Sequence, residues 1–347
     1  MPSLAERLRE RIVREGPISF RDFMSAALYD PEEGYYARGA PIGERGDFVT
    51  SPWVTPAFAA TIARKFAEDA ALFEGPVDFV EIGAGEGRFL EDFASALANG
   101  SPELRGRVRL VAVERTAAAR AASRERAIVP APVLLESAEE LAEGSVNGWI
   151  FSNELYDALP VVCVVGGPGG LEELRVGTAA GRFVWVRAPA LEGFSEHLAR
   201  FGVTLEEEQA GEISFAAAPL HRRLARALSR GRLVAFDYGH RASVLYHPLA
   251  RRQGTLVVHS GGRRGGDPLS RPGEVDLTAH VNWDDLARAG EEEGLVMEGV
   301  FRQGRYLAEA GILGLAGSEE EKWRAYRLID PEGMGEELSV LIQARGM

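Results

Sequence analysis

Residues Val77–Phe89, with the sequence VDFVEIGAGEGRF, decide the fold of this 347-residue chain. An apolar run, Val77–Ile82, contains one acid, Glu81, and is followed by the alternating glycines of Gly83–Gly87 and a helix-forming stretch. This order is typical of a strand, a glycine turn and a helix. Glycines permit positive φ and a close approach of a ligand, and a helix N-terminus offers unpaired N–H groups. The stretch therefore predicts a ligand-binding turn at the end of a buried strand.

Charge and composition exclude several classes of protein. The formal net charge is −13, from 39 basic and 52 acidic residues, which argues against nucleic acid or an anionic membrane as the main partner. The N-terminal residues Met1–Ile12 have no apolar signal region, and we find no apolar run long enough to span a membrane. We therefore expect a soluble, cytoplasmic protein. Cys163, the one cysteine, lies in an apolar run and is expected to be a buried thiol, and no Cys/His cluster suggests a metal site.

Strands and helices alternate after the glycine turn, which predicts βαβ units and a parallel sheet. We predict strands at Val108–Val113, Pro132–Leu135 and Val146–Phe151. The alternation then stops. Short apolar runs separated by glycine-rich turns predict an antiparallel meander at Val161–Val165, Leu171–Val176 and Arg182–Val186.

The remaining chain returns to the sheet. We predict strands at Arg232–Phe236, Leu295–Phe301 and Leu338–Ala344, and a loop at residues 240–276, where Asp276 or Thr278 could cap a turn. The predicted organisation has these parts: an N-terminal helical and loop cap over the cofactor site at 1–75, the first half of the core at 76–160, inserted antiparallel strands and a helix at 161–219, and the second half of the core at 220–347, with a loop at 240–280 and a helical insert at 303–330.

Polar residues follow the predicted parallel strands, at the edge where ligands of open α/β sheets bind. Besides Glu81 and the glycines Gly83, Gly85 and Gly87, they include Glu114 and Ser137. The dinucleotide fingerprint is G-x-G-x-x-G, yet Arg88 occupies its sixth position here. The charge of Glu81 would repel a pyrophosphate and attract an amine or a sulfonium. This favours S-adenosylmethionine over NAD, with Glu114 accepting hydrogen bonds from the ribose hydroxyls.

The segment after the fourth strand, Ser152–Pro160, carries further acids. Glu154 is expected to orient and polarise a cationic or N–H nucleophile, because a guanidinium fits a carboxylate with two parallel hydrogen bonds. Asp157 either supports this chemistry or caps the turn, and both interpretations stay open. His240 closely follows Tyr238, so we expect it to face the same crevice.

Together these segments resemble the MidA-like class I methyltransferases, the family that includes the mitochondrial complex I assembly methyltransferase. The resemblance runs nearly end to end. It rests on these motifs: Asp30-Pro31-x-x-Gly34-Tyr35-Tyr36, Gly46-Asp47-Phe48-Val49-Thr50-Ser51-Pro52, Glu81-Ile82-Gly83-x-Gly85, Asn153-Glu154-x-x-Asp157-Ala158-Leu159-Pro160, Asp237-Tyr238-Gly239, Asp267-Pro268-Leu269, Pro272-Gly273, Asp276-Leu277-Thr278-Ala279-His280-Val281 and Met334-Gly335. The glycine motif alone is widespread among methyltransferases, whereas the combination is specific.

The resemblance implies a Rossmann-like, seven-strand α/β sheet with extra helices, S-adenosylmethionine as cofactor, and transfer to a protein arginine. Gly46, Asp47 and Phe48 would close over the cofactor, Asn153, Glu154 and Asp157 would serve the reaction, and Tyr36, Trp53, Tyr238 and His240 would contact the substrate. Four positions depart from the family pattern: Trp53 replaces an acid, Pro56 a glutamine, Ala59 a glycine and Gly262 a histidine.

Other functions stay open at this stage. One is a small-molecule methyltransferase of a biosynthetic pathway. Another is an assembly factor that binds S-adenosylmethionine without turnover, which the departures at Trp53 and Pro56 favour. An NAD dehydrogenase is disfavoured by Arg88 and Glu81. The antiparallel insert at 161–186 offers a surface for a homodimer.

Overall fold

The computed structural model describes residues 2–39, 43, 46–104 and 106–347. Parts of the glycine-rich segment singled out in the sequence, residues 40–42 and 44–45, lie outside the described residues. No helix within the described ranges combines the length and the apolar character needed to cross a membrane.

The N-terminal region begins with two amphipathic helices. Ser19 caps the second helix, because its hydroxyl accepts a hydrogen bond from the Asp22 amide at 3.1 Å. The elements of this region are α1 (Leu4–Glu15), β1 (Ile18–Ser19), α2 (Phe20–Tyr29), α3 (Ser51–Val54) and α4 (Pro56–Ala70).

The first half of the sheet follows the predicted alternation closely. All residues of the strand that carries the glycine turn are buried, because it lies between two parallel neighbours. The elements are β2 (Val77–Ile82), α5 (Arg88–Gly100), β3 (Val108–Val113), α6 (Ala117–Glu125), β4 (Val133–Leu135) and β5 (Val146–Asn153). Short 3₁₀ turns lie at Pro102–Leu104 and Ala138–Glu140.

The predicted antiparallel meander is also present. It forms a separate sheet that includes β1, because Ile18 pairs with Val176 and Ser19 with Arg175. The chain thereby joins its N-terminus to the insert. The elements are β6 (Val162–Gly167), β7 (Gly170–Ala179), β8 (Arg182–Pro189), α7 (Phe194–Ala199) and β9 (Ala210–Ile213).

The C-terminal part completes the central sheet. Its elements are α8 (Ala217–Ala227), β10 (Leu228–His240), α9 (Ala242–Leu245), β11 (Val257–Ser260), β12 (Arg263–Arg264), β13 (Asp276–Thr278), β14 (Val281–Asn282), α10 (Trp283–Glu292), β15 (Val296–Arg302), α11 (Gln303–Glu309), a 3₁₀ turn (Ile312–Gly314), α12 (Glu319–Ile329), α13 (Met334–Glu337) and β16 (Leu338–Arg345). In the described part of the chain the strand order is β15-β16-β10-β5-β2-β3-β4, and β16 runs antiparallel to both neighbours. This is the fold class that the sequence predicts.

The segment 240–276 differs from the prediction of a loop. It contains α9 and a hairpin of β11 and β12, and β11 also pairs with β13. Asp276 lies inside β13 and caps no turn, while Asn282 caps α10 by accepting from the Asp284 amide at 3.1 Å. The prediction failed because glycine and arginine dominate the local composition, whereas the pairing of Val258 with Leu277 comes from a distant part of the chain.

Stacked aromatic rings in the core hold the glycine turn in place. Phe79 of β2 stacks on Phe93 of α5 at 3.9 Å between ring centroids, and Phe89 stacks on Phe151 of β5 at 4.6 Å. All four side chains are buried. Because these contacts hold α5 against β2 and β5, the turn between strand and helix has one defined geometry.

The backbones of β5 and β10 are in close contact at Gly231, and this contact can be tested by substitution. Gly231 has φ 124°, and an added Cβ would lie 1.8 Å from the carbonyl oxygen of Gly148. We expect Gly231→Ala to lower the free energy of unfolding, measured with urea, by about 3 kcal/mol or more. Gly144→Ala is the control, because Gly144 has φ 64° and open space among the described residues, so about 1–2 kcal/mol is expected. If both variants lost the same free energy of unfolding, the close contact of Gly231 with Gly148 would not be the cause of the larger cost.

Candidate active site

A cavity of about 1120 Å³ lies at the carboxyl ends of β2, β3, β5 and β10. The N-terminal segment around Phe48 and the β11–β12 hairpin form its other walls. Most residues singled out in the sequence line it: Tyr36, Gly46, Asp47, Phe48, Trp53, Glu81, Gly83, Gly85, Glu114, Ser137, Asn153, Glu154, Asp157 and Tyr238.

The glycines of the turn have different roles. Gly85 has φ 52°, and an added Cβ would meet no atom of the described residues within 4 Å, so the protein leaves space for a ligand there. Gly83 has φ 74°, and its Cβ would lie 2.9 Å from a methyl group of Leu155. Gly87, predicted to bind cofactor, is not among the described residues that line the cavity. It is the N-cap residue of α5 with φ 78°, and a side chain there would collide with Ser123.

Glu114 is held in place by backbone donors. The Gly85 amide donates to its Oε2 at 2.9 Å, and the Thr116 amide donates to its Oε1 at 2.6 Å. Each carboxylate oxygen keeps a further lone pair, so both can accept hydrogen bonds from a pair of hydroxyl groups. This geometry fits the ribose of a nucleoside.

Glu81 is buried beside the glycine turn. Burial, and secondarily the charge of Glu114, hold the pKa of its carboxyl well above the usual value. Its Oε2 has no hydrogen-bond partner among the described residues. A buried polar atom without a partner is costly, and a cationic amino group next to Glu81 would satisfy it. The site thus fits the methionine end of S-adenosylmethionine.

The loop after β5 presents Glu154 to the cavity. Its backbone has φ 50°, an uncommon conformation for a residue other than glycine. The Asn153 side chain donates to Glu154 Oε1 at 2.9 Å, and the Ser51 amide at 3.3 Å. The Tyr238 hydroxyl also donates to this carboxyl group. Burial raises the pKa of Glu154 to about 8 in spite of these donors.

Asp237 clamps the same loop from β10. It is fully buried and accepts from the amides of Leu155 at 3.0 Å, Tyr156 at 2.7 Å and Tyr238 at 2.8 Å. Asp237 directly follows the predicted strand Arg232–Phe236, but its position in the sequence did not reveal this role. Burial raises the pKa of Asp157, and the nearby charge of Asp237 adds to the effect.

Tyr29 and Asp276 were missed as site residues. The Tyr36 hydroxyl donates to Asp276 Oδ1 at 3.0 Å, and the Tyr29 hydroxyl donates to the Ala158 carbonyl at 2.9 Å. The two tyrosine rings stack at 5.5 Å. Burial raises the pKa of Asp276 to about 7. The cluster of tyrosines in the sequence was a signal for this wall, but it did not reveal Asp276 as the partner.

Asp47 joins the N-terminal segment to the β11–β12 hairpin. The Tyr35 hydroxyl donates to Asp47 Oδ2 at 2.9 Å, and the Gly261 amide donates to Oδ1. The Gly262 amide donates to the backbone carbonyl of Asp47 at 3.1 Å. Both carboxylate oxygens of Asp47 thus accept hydrogen bonds from protein donors, which fix the N-terminal segment against the hairpin at the wall of the cavity. Phe48 packs edge-on against His259 of the hairpin, with ring centroids 6.0 Å apart.

The departures from the family pattern have different positions. Trp53 and Gly262 line the cavity, and the Arg88 guanidinium lies over the Trp53 ring at 5.4 Å. Pro56 begins α4, and Ala59 is buried inside it, so neither is among the described residues that line the cavity. The altered contacts are therefore those of Trp53 and Gly262.

The prediction that His240 faces the cavity is wrong. Strand β10 continues through Gly239 and His240 to pair with β14, which carries His240 past the cavity. There Arg251 donates to His240 Nε2 at 2.6 Å. Arg264, which sequence analysis did not select, does line the cavity. Its guanidinium lies 5.8 Å from the centre of the Tyr238 ring and forms a bidentate ion pair with Glu337 at 2.9 and 2.8 Å.

Comparison with known proteins agrees with this geometry. Residues 59–301 match the model of a family described as S-adenosyl-L-methionine-dependent methyltransferase. A solved structure from Burkholderia thailandensis, bound to S-adenosyl-homocysteine, is 32% identical, covers 99% of this chain and 92% of that chain, and has a TM-score of 0.88. The human mitochondrial protein arginine methyltransferase NDUFAF7 is 25% identical over 350 residues, which cover 89% of this chain and 73% of that protein. Its Drosophila melanogaster homolog is 24% identical over 343 residues, covering 88% and 74%.

These findings confirm the resemblance drawn from the motifs, the α/β fold and the cofactor. The family match spans the sheet from α4 to β15, and the similar solved structure holds the demethylated form of the cofactor. The chain belongs to the family of S-adenosyl-L-methionine-dependent methyltransferases.

Proposed function

We propose that this methyltransferase acts on the guanidino group of a protein arginine, with Glu154 as the group that binds the acceptor. The observation that supports it is a buried carboxyl facing the cavity, fixed by Asn153 and Tyr238. The names of the curated relatives, which are protein arginine methyltransferases, support the same acceptor.

The chemistry divides between cofactor and protein. Bound S-adenosylmethionine supplies an electrophilic methyl group on a sulfonium sulfur. A guanidinium bound beside Glu154 favours the ionised carboxylate, so Glu154 would release its own proton as the acceptor binds. The carboxylate would then align the acceptor nitrogen and take the proton that this nitrogen loses as the methyl group is transferred. Tyr238 and Asn153 keep the carboxyl oriented. Since the step is a direct displacement, alignment and exclusion of water supply most of the rate.

A small-molecule acceptor is the second candidate. The volume of about 1120 Å³ is large enough for the cofactor together with a compact second substrate. An assembly factor without turnover is a third candidate, which Trp53 at the cavity wall motivates. A cytoplasmic location and a dimer surface on residues 161–186 stay predictions.

The acceptor can be identified with labelled cofactor. We expect purified protein with methyl-labelled S-adenosylmethionine to label a polypeptide in extract from a deletion strain, and hydrolysis of that band to release methylarginine. Glu154→Gln should abolish the label. Label recovered only in the small-molecule fraction would instead establish the second candidate, and no label with a cofactor-binding protein would establish the third.

The cofactor site is tested at Gly85. We expect Gly85→Val to abolish binding of S-adenosylmethionine in calorimetry, because the side chain would enter the open space at the turn. Gly75→Val is the matched control: Gly75 also has positive φ, 76°, and open space among the described residues, but it lies in the turn before β2. Equal affinity of Gly85→Val and the wild type would refute the proposed cofactor site.

The raised pKa of Glu154 makes stability depend on pH. The folded protein keeps the proton up to about pH 8, whereas the unfolded chain releases it near the ordinary glutamate pKa of 4.5. The folded state therefore binds more protons between these values, and its stability falls as pH rises, by up to about 1.4 kcal/mol per pH unit. We expect Glu154→Gln to be more stable than the wild type at pH 7.5, and the difference to shrink at pH 5, in urea unfolding without cofactor.

The exposed Glu125 provides the control for this measurement. Glu125→Gln should leave the pH dependence of the wild type unchanged. If the difference in free energy of unfolding between Glu154→Gln and the wild type stays constant from pH 5 to pH 7.5, Glu154 ionises normally in the folded protein.

A further inference from the structure

A chain of buried side chains lies behind the Glu154 loop. The Tyr156 hydroxyl is 2.8 Å from His221 Nδ1 of α8, and His221 Nε2 is 2.7 Å from Gln343 Oε1 of β16. Gln343 Nε2 donates to the carbonyl of Ala287 in α10 at 2.8 Å. Tyr156, His221 and Gln343 are each at most 2% exposed, and none of them is among the described residues that line the cavity.

The direction of every hydrogen bond in this chain can be inferred. Because the amide nitrogen of Gln343 donates to Ala287, its oxygen faces His221 and accepts. His221 Nε2 therefore carries the ring proton, and Nδ1 accepts from the Tyr156 hydroxyl. Burial lowers the pKa of His221 to about 4, so the ring is neutral at neutral pH. Each of the three side chains thus donates one hydrogen bond to the next group, and all three bonds run in the same direction, toward α10.

Tyr156 is tied at both ends. Its amide donates to Asp237 Oδ2 at 2.7 Å, and its hydroxyl reaches His221. It lies between Glu154 and Asp157 in the sequence. Glu154 has φ 50°, and such a conformation persists only where the surrounding structure holds it.

We propose that Tyr156, His221 and Gln343 form a positioning network that holds the loop Asn153–Pro160 in the geometry required for methyl transfer. The network links the loop to α8, β16 and α10 and acts through Glu154, so this inference rests on the proposed role of Glu154. Its members are positioning residues because they do not line the cavity.

Tyr156→Phe tests the proposal. The change removes the hydroxyl and leaves His221 Nδ1 buried without its donor. We expect the amides of Leu155 and Tyr156 to exchange hydrogen about tenfold faster, in hydrogen-exchange mass spectrometry, because Tyr156 is then tied to the rest of the protein at its amide and no longer at its hydroxyl. Methyl incorporation should fall about tenfold or more, while calorimetry should give an unchanged affinity for S-adenosylmethionine.

Tyr246→Phe is the matched control. Tyr246 is also buried, and its hydroxyl donates to the carbonyl of Glu212 in β9 at 2.8 Å, so the variant loses one buried hydroxyl bond between the segment after α9 and the insert. We expect comparable loss of stability in urea unfolding, with unchanged exchange at Leu155 and unchanged methyl incorporation.

His221 supplies a rescue experiment. His221→Phe leaves the Tyr156 hydroxyl and Gln343 Oε1 without their partner in the network, whereas His221→Gln keeps one donor and one acceptor. We expect His221→Gln to retain more methyl incorporation and slower amide exchange than His221→Phe at similar affinity for S-adenosylmethionine. If Tyr156→Phe and Tyr246→Phe behave alike, or if amide exchange in the loop does not change, the network only stabilises the core and the proposal is wrong. The exchange measurement needs no acceptor. If the wild type transfers no methyl group, the proposed function is refuted, but the exchange data still decide whether the network positions the loop.

Discussion

The carboxylate of Asp237 is the interaction on which the candidate site depends. It lies near the carboxyl end of β10 and accepts hydrogen bonds from the amides of Leu155 and Tyr156, so it fixes the loop that follows β5. That loop sets the direction of Glu154 and the strained φ of its backbone. A carboxylate can serve in this way because it offers several lone pairs in one plane, which a neutral amide side chain cannot match.

Burial of acidic side chains has an electrostatic consequence for the whole cavity. Glu81, Glu154, Asp157 and Asp276 all have carboxyl groups whose pKa is raised, with burial as the largest cause in each case. A cavity with such walls favours cations, since a positive ligand lets these groups ionise at little cost. The sulfonium cofactor and a guanidinium acceptor both have that charge. The same preference makes a pyrophosphate a poor ligand, in agreement with the argument from Arg88 and Glu81.

Local signals in the sequence were sufficient for the sheet and for the cofactor end of the site. The apolar run Val77–Ile82 and its glycines predicted strand, turn and helix because all of the determinants are neighbours in sequence. The acceptor end was harder, since Asp276 and Arg264 reach the cavity through pairing of β11 with strands on both sides. His240 was misplaced because proximity to Tyr238 in sequence does not tell how far a strand extends. The spacing of the glycines alone left several ligands open, and the motifs of the family identified methyl transfer as the chemistry.

The pairing of β1 with β7 has a consequence for how the chain folds. Ile18 and Ser19 find their partners in Val176 and Arg175, on the far side of the first half of the core. During synthesis the N-terminal helices must wait until the insert has left the ribosome before this sheet can form. Such non-local closure raises contact order and slows folding. The wall that Tyr29 and Tyr36 contribute to the cavity therefore cannot reach its final position before the insert has been made, and a truncated chain that ends before the insert would lack it.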